Sequence, residues 1–311
     1  MGQHSQLSVD VYGRDGFRRL LRNKLAVVGA TMVLIVTFAA VFAPFIAPKP
    51  YAEANLILNN SPPGKEYLLG ADLLGRDLLS RLIYGARISL TVGFIGATVA
   101  FVMGIIYGTI SGFYGGVTDS VMMRIVDILF AFPTVLFVIL LMVMFKTNIN
   151  SLSTNPLIKS LVVVDKYFGG LLFIMIGIGL TSWVGMARLA RGMALSVRES
   201  DFVQAARALG ASDLQLIRMH LMPNLVGPCI VIVTMQIPGF IGTEAFLSFI
   251  GLGVDPPTPS WGMMIAEGAR VLRSYPHQTI FPGIALALVM FAFNFLGDGL
   301  RDALDPRLNQ Q

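Results

Sequence analysis

Six apolar stretches leave few folds open to this chain. Leu25–Ala47, Ile88–Ile110, Val121–Phe145, Tyr167–Ala187, Leu225–Ile250 and Ile280–Gly297 are long enough, or nearly so, to cross a bilayer core as helices. In hydrocarbon every backbone N–H and C=O must find its partner inside the protein, so such stretches read as helices in a bundle. A water-soluble domain of 311 residues would have no use for them. With 55% hydrophobic and 13% charged residues, the chain reads as a multi-pass, all-α membrane protein lying in a lipid bilayer. No small-x-small cleavage site closes the first stretch, so it is expected to stay as a span.

Six spans bring both termini to one side. Residues 1–24 carry Arg14, Arg18, Arg19, Arg22 and Lys24 and read as a cytoplasmic tail, with 300–311 as its C-terminal counterpart. On that orientation 13 Lys and Arg lie inside and 10 outside, too small a bias to orient the chain alone. The basic residues are scattered rather than striped, which argues against a nucleic-acid partner. Cys229 is alone, so no intrachain disulfide can form, and His4, His220 and His277 show no metal-ligand spacing. No G-x-x-x-x-G-K-[ST] loop occurs. The expectation is a non-catalytic chain without metal or cofactor.

Residues 25–87 read as the first span and an external segment. Within 48–87, Asp77 and Arg81 are an i,i+4 pair expected to support a surface helix, either a docking lid or an interfacial lead-in to the next span. Residues 88–299 hold the other five spans. Gly104, Gly108 and Gly112 give the second span a groove for close packing, within the chain or against a subunit, and Ser111–Gly116 reads as a turn. In the third span Arg124 and Asp127 can face one another as a structural pair or a substrate site, and Pro133 is expected to kink the helix. Residues 146–166 read as an outside loop. In the fifth span Pro238 and Gly239 are expected to break the middle. Glu244 beyond them either lines the outer pathway or bonds backbone freed by Pro238. Residues 251–279 read as an outside loop, re-entrant in part.

Between the fourth and fifth spans lies the polar stretch 200–223, SDFVQAARALGASDLQLIRMHLMP. Asp201 can cap a helix, with Gln204 closing a capping box; Phe202, Ala205, Ala206 and Leu209 then form one stripe. Gly210 suits the left-handed C-terminal position. Ser212 and Gln215 make a second box, Leu214, Ile217 and Leu221 continue a stripe, and Pro223 is expected to stop the run. The product is helix, glycine corner and helix, with a small-residue face (Ala205, Ala206, Gly210) open to another protein. The spacing equally allows an amphipathic hairpin lying on lipid.

QAARALG, nine residues and then HLMP resemble the coupling loop of permease subunits of ABC importers. Gln204 stands where that family often has glutamate, and Leu221-Met222-Pro223 where leucine often directly precedes proline. LGADLLGRDLLSRLIYGARISL, FLSFIGLGVDPPTPSWGMMI and FNFLGDGLRDALDPRL are similar to segments of the C-type permeases of oligopeptide, dipeptide and nickel importers. The resemblance covers most of residues 15–308, and the 146–166 loop is longer than usual. It implies a type I importer permease fold in the bacterial cytoplasmic (inner) membrane and a heterodimer with a sister permease. Two ATPase subunits would dock on Gln204, Ala205, Ala206, Gly210, Ser212 and Pro223, and an extracytoplasmic binding protein would deliver a peptide. A nickel or other small-solute importer is the alternative. From a different class, a gradient-driven transporter would use Glu244, His277 and Arg124–Asp127; a membrane scaffold is a third reading.

Overall fold

The computed structural model describes residues 16–147, 160, 163–165 and 169–304. Among them the chain is helical, with one isolated antiparallel bridge between Ala71 and Asp77 and no strand. The expected 146–166 loop lies mostly outside these residues, as does Arg14.

A short helix α1 (Gly16–Arg22) precedes α2 (Lys24–Val41), which is capped by Asn23 through the N–H groups of Leu25 and Ala26. A single-turn α3 (Ala43–Ile46) ends this unit. α4 (Leu78–Tyr114) has 37 residues. At 1.5 Å per residue it is roughly 55 Å long, well beyond a hydrocarbon core of about 30 Å. The expected surface helix and second span are therefore one rod. The expected turn at 111–116 shrinks to Gly115 and Gly116, both at positive φ (66° and 55°). α5 (Gly116–Ala131) and α6 (Thr134–Thr147) meet at a bend of 75°. Phe132 is extended there, as the residue before Pro133 must be. α7 (Leu172–Arg198), α10 (Met222–Phe249) and α12 (His277–Leu304) complete the bundle, with α11 (Trp261–Ala269) tucked between α10 and α12. Among the described residues, five helical runs are long and apolar enough to cross a membrane, and α5 with α6 makes a sixth if the bent pair is one span.

The glycine groove packs inside the chain. A Cβ on Gly104 would lie 2.5 Å from Met186 Cβ, and one on Gly112 2.7 Å from the Arg191 carbonyl oxygen. Glycine at every fourth position of α4 lets the α7 backbone approach to where a side chain would otherwise stand. Ala187, Ala190 and Ala194 supply the matching small face of α7, all fully buried. About three turns nearer the start of α4, Gly93 admits Ile237 and Ile241 of α10.

α10 runs unbroken through Pro228 and Pro238, contrary to the expected break at Pro238–Gly239. A proline deletes one backbone bond, and in a packed span neighbouring helices keep the rod intact. Ile237 and Ile241, either side of the proline, are locked into the core.

The pair Asp77–Arg81 does not form. Asp77 is the N-cap of α4, its carboxylate accepting from Ser80 N (2.8 Å) and Ser80 Oγ (2.6 Å). Arg81, 1% exposed, turns instead to Asp72 and to Glu267 of α11 (2.8 Å), and Arg76 reaches the same two carboxylates. This four-charge cluster ties the segment before α4 and the start of α4 to α11. Trp261 adds a second tie: its Nε1 donates to the Leu82 carbonyl (3.0 Å), with Gly85 leaving room for the ring.

Contacts at the helix ends fix relative direction. Lys49 N donates to Ser80 Oγ, and Gln278 donates to Asn60, at one end of the bundle. Asn23 donates to Asp302 at the other, so α2 begins and α12 finishes at the end where α4 also finishes.

Candidate functional site

At that same end the chain leaves α7 and makes the hairpin. Its first arm is α8 (Asp201–Ala208) and its second is α9 (Asp213–Leu216). The corner is a complete Schellman closure: Ala211 N–H donates to the Ala206 carbonyl (3.1 Å) and Gly210 N–H to the Arg207 carbonyl (3.0 Å). Gly210 sits at φ 88°, and a Cβ there would touch nothing within 4 Å. Its requirement for glycine is therefore conformational rather than steric. Ser212 and Gln215 form the expected capping box.

The first cap differs from expectation. Ser200 is the N-cap of α8, and its hydroxyl donates to the Val197 carbonyl (2.6 Å) rather than accepting from the helix. Asp201 is the first helical residue, where its charge still suits the positive helix end. Gln204, instead of closing a box, donates through Nε2 to the Arg198 carbonyl (3.1 Å). Pro223 does not stop the run. One π-helical turn, Ile217–Leu221, joins α9 to α10, and Pro223 lies within the first two residues of α10. The Met222 N–H reaches the Ile217 carbonyl, so the turn has already shifted to five-residue bonding where a proline removes a donor. The second arm of the hairpin is therefore continuous with a span.

The buried face cuts across the two stripes. Val203, Leu216 and Leu221 are fully buried and anchor the hairpin in the core beside Phe113, with Ala206 and Ile217 half-buried against them. Phe202, Leu209 and Leu214 face outward, as does Ala205, which the open small-residue face anticipated; Leu209 is 77% and Leu214 73% exposed. Met219 joins this exposed apolar set. Of the anticipated residues, Gln204, Ala205, Gly210, Ser212 and Pro223 are exposed on one hairpin, while Ala206 points partly inward.

Contacts not legible beforehand hold the hairpin to the bundle. The Arg207 guanidinium lies over the Phe113 ring (5.5 Å) at the end of α4. Arg198 Nη1 donates to the Phe113 carbonyl (3.1 Å), one of the last unpaired carbonyls of that helix. Asp119 of α5 is gripped by Arg191 of α7 through Nε and Nη2, each at 2.5 Å. The sequence signal for these contacts was the small-residue spacing of α7 matched to that of α4, which sets Arg191 beside Gly112.

The pair Arg124–Asp127 does not form. Asp127 binds Arg188 of α7 (2.6 Å), whose guanidinium also lies over Phe130 (4.1 Å). Asp127 and Phe130, three apart on α5, together offer Arg188 a better seat than Asp127 offers Arg124. Arg124 is exposed and makes no ion pair among the described residues. Glu244 is 0% exposed. Its carboxylate accepts from Ser89 Oγ of α4 (2.9 Å) and Ser248 Oγ (2.6 Å), and Ser260, the cap of α11, donates to Ser248 (3.2 Å). It binds hydroxyls rather than backbone freed by Pro238, and it knots α4, α10 and α11 together. No group of His, Cys, Asp and Glu suited to a metal occurs among the described residues.

Comparison with known proteins agrees with this architecture. Residues 100–310 match the family model of the binding-protein-dependent transport system inner membrane component. Residues 12–63 match the N-terminal TM domain of oligopeptide transport permease C. The chain is 41% identical over 297 residues to the oligopeptide transport system permease protein OppC of Bacillus subtilis (strain 168), covering 96% of this chain and 90% of that protein. It is 40% identical over 300 residues to the dipeptide transport system permease protein DppC of the same organism, covering 96% and 87%. Among solved structures, an inward-facing form of the MetNI methionine ABC transporter superposes with a TM-score of 0.54 at 17% identity, over 71% of this chain and 95% of that one. That likeness establishes a shared fold.

Proposed function

The chain belongs to the family of inner membrane components of binding-protein-dependent transport systems, and from that premise we propose that it is a permease subunit of an ATP-driven peptide importer in a bacterial inner membrane. The peptide assignment draws on its similarity, over nearly its whole length, to oligopeptide and dipeptide permeases. The observation that carries the energy-coupling part is the hairpin. Its inner face is pinned by Val203, Leu216 and Leu221, while Phe202, Leu209, Leu214 and Met219 stand exposed at the end where α4 and α7 finish. An apolar helical ridge of this kind fits a groove on another protein. In this reading the groove belongs to an ATPase subunit, which supplies energy that the present chain transmits. A sister permease completes the pathway, and an extracytoplasmic binding protein delivers the peptide to the end that carries residues 48–77.

The test is uptake of a labelled peptide into vesicles holding the chain, its sister permease and the ATPases, with binding protein and peptide on the outer side. Uptake that needs both ATP and binding protein is expected. Gly210→Trp should abolish it, because no bulky side chain is comfortable at φ 88° in that corner. Normal uptake by Gly210→Trp in an intact complex would remove the docking role.

A further inference from the structure

The hairpin is covalently continuous with α7 and with α10, but nothing covalent joins it to α4, the longest helix of the bundle. Its links to α4 gather at that helix's end: Val203, Leu216 and Leu221 share a buried cluster with Phe113, Arg207 lies over the same ring, and Arg198 at the end of α7 donates to the carbonyls of Phe113 and Gly112 (3.1 and 3.4 Å). Immediately beyond, Gly115 and Gly116 sit at positive φ. These contacts grip the last turns of α4, while the glycine corner beyond them gives no rigid join between that end and α5.

Asp119 closes that gap. It is 8% exposed and lies in the first turn of α5. Its Oδ1 accepts from Ser111 Oγ of α4 (2.5 Å) and from Arg191 Nε of α7 (2.5 Å), and its Oδ2 accepts from Arg191 Nη2 (2.5 Å). One carboxylate thus joins three helices. The guanidinium fork fixes direction as well as distance, which a single hydrogen bond does not. The Arg191 backbone meanwhile presses on Gly112, where a Cβ would lie 2.7 Å from its carbonyl oxygen. Arg191 therefore meets α4 by its main chain and holds the start of α5 by its side chain, nearly three turns before the hairpin begins.

We propose that Asp119 is a positioning residue for energy coupling: its two-pronged pair with Arg191 clamps the α4–α5 corner to α7, so that displacement of the hairpin is delivered to α4. This rests on the hairpin docking to an ATPase. Asp119 touches neither the ATPase nor the peptide; it acts through α4.

The test uses the complete reconstituted transporter and measures peptide uptake and ATP hydrolysis in the same vesicles. In Asp119→Asn the binding-protein-stimulated hydrolysis persists while peptide moved per ATP falls by about fivefold or more, the lower range for coupling between sites. Asp119→Glu, which restores the charge, recovers part of that ratio. Uptake per ATP at the wild-type value overturns the proposal. So does a fall of uptake and hydrolysis in the same proportion, which marks a merely structural role. If Asp119→Asn does not assemble, Arg191→Lys, which keeps the charge and loses the fork, carries the same measurement. A benzophenone maleimide on Leu214→Cys, in a Cys229→Ala background, separates the two levels. If the probe never cross-links to an ATPase subunit, the docking reading fails and this proposal with it. If it cross-links and Asp119→Asn transports normally, only this proposal fails.

Discussion

Replacing Gly108 by alanine pits two effects of opposite sign against one another. In a helix interior, alanine is favoured over glycine by about 1 kcal/mol. Against this, the new Cβ would meet the Ala187 carbonyl oxygen and lie 2.8 Å from both Ala190 Cβ and Arg191 N. All three belong to α7 or its backbone, and a backbone carbonyl has no rotamer by which to step aside. The two helices must part by roughly 0.5–1 Å, which forfeits a quarter to a half of the dispersion energy of each facing atom pair. If that seam holds about as many pairs as one buried leucine, some 40–60 at 0.1–0.2 kcal/mol, the loss is about 2–4 kcal/mol. Net destabilisation is then about 1–3 kcal/mol, in the usual range for overpacking. Gly192 on α7 is the control: a Cβ there meets nothing within 4 Å, so Gly192→Ala keeps only the favourable term. The assay exploits Cys229, the chain's single cysteine and fully buried. Membranes are heated, exposed to a fluorescent maleimide, and the labelled band of this chain is read on a gel. Gly108→Ala should label at a lower temperature than wild type and Gly192→Ala at the same or a higher one. Equal midpoints for the two variants would refute the close-packed seam.

Other substitutions probe the remaining ties. Gly210→Ala should cost about 1–2 kcal/mol of backbone strain without any clash; protease sensitivity at the corner should rise while the spans stay intact. Glu244→Ala strips Ser89 and Ser248 of their acceptor in the core, at about 1–3 kcal/mol for each hydroxyl left unpaired, and Glu244→Gln should be milder. The maleimide assay ranks the two, and equal midpoints would count against the hydroxyl knot. Arg81→Met breaks a buried ion cluster, worth about 3–5 kcal/mol. Protease added on the side of residues 48–77 should then cut that segment at concentrations that spare the wild type.

The class of the molecule followed from the sequence because hydrocarbon admits so few backbone solutions. Apolar runs of span length had to be helices, and glycine at every fourth position had to mark a close approach. The hairpin was legible for the same kind of reason. Its corner needed Gly210 and its second arm needed the Ser212 box, both of which are local requirements of backbone geometry. What the sequence left open was every choice between partners of comparable reach. Asp77 could serve Arg81 or its own helix end, Asp127 could take Arg124 or Arg188, and Glu244, expected to line a pathway or bond backbone, bound hydroxyls. For Asp127 and Glu244 the outcome depended on what a neighbouring helix brought within about 3 Å, whereas Asp77 caps its own helix. The two prolines in α10 likewise stop a helix in isolation but not one held by packed neighbours. Of the small-residue face expected to be open, Ala205 and Gly210 are exposed and Ala206 is half-buried, but a stripe at helical spacing records that a face is apolar without saying whether this chain or another covers it. Only the placement of Val203, Leu216 and Leu221 against Phe113 determined which face was buried and which was left for a partner.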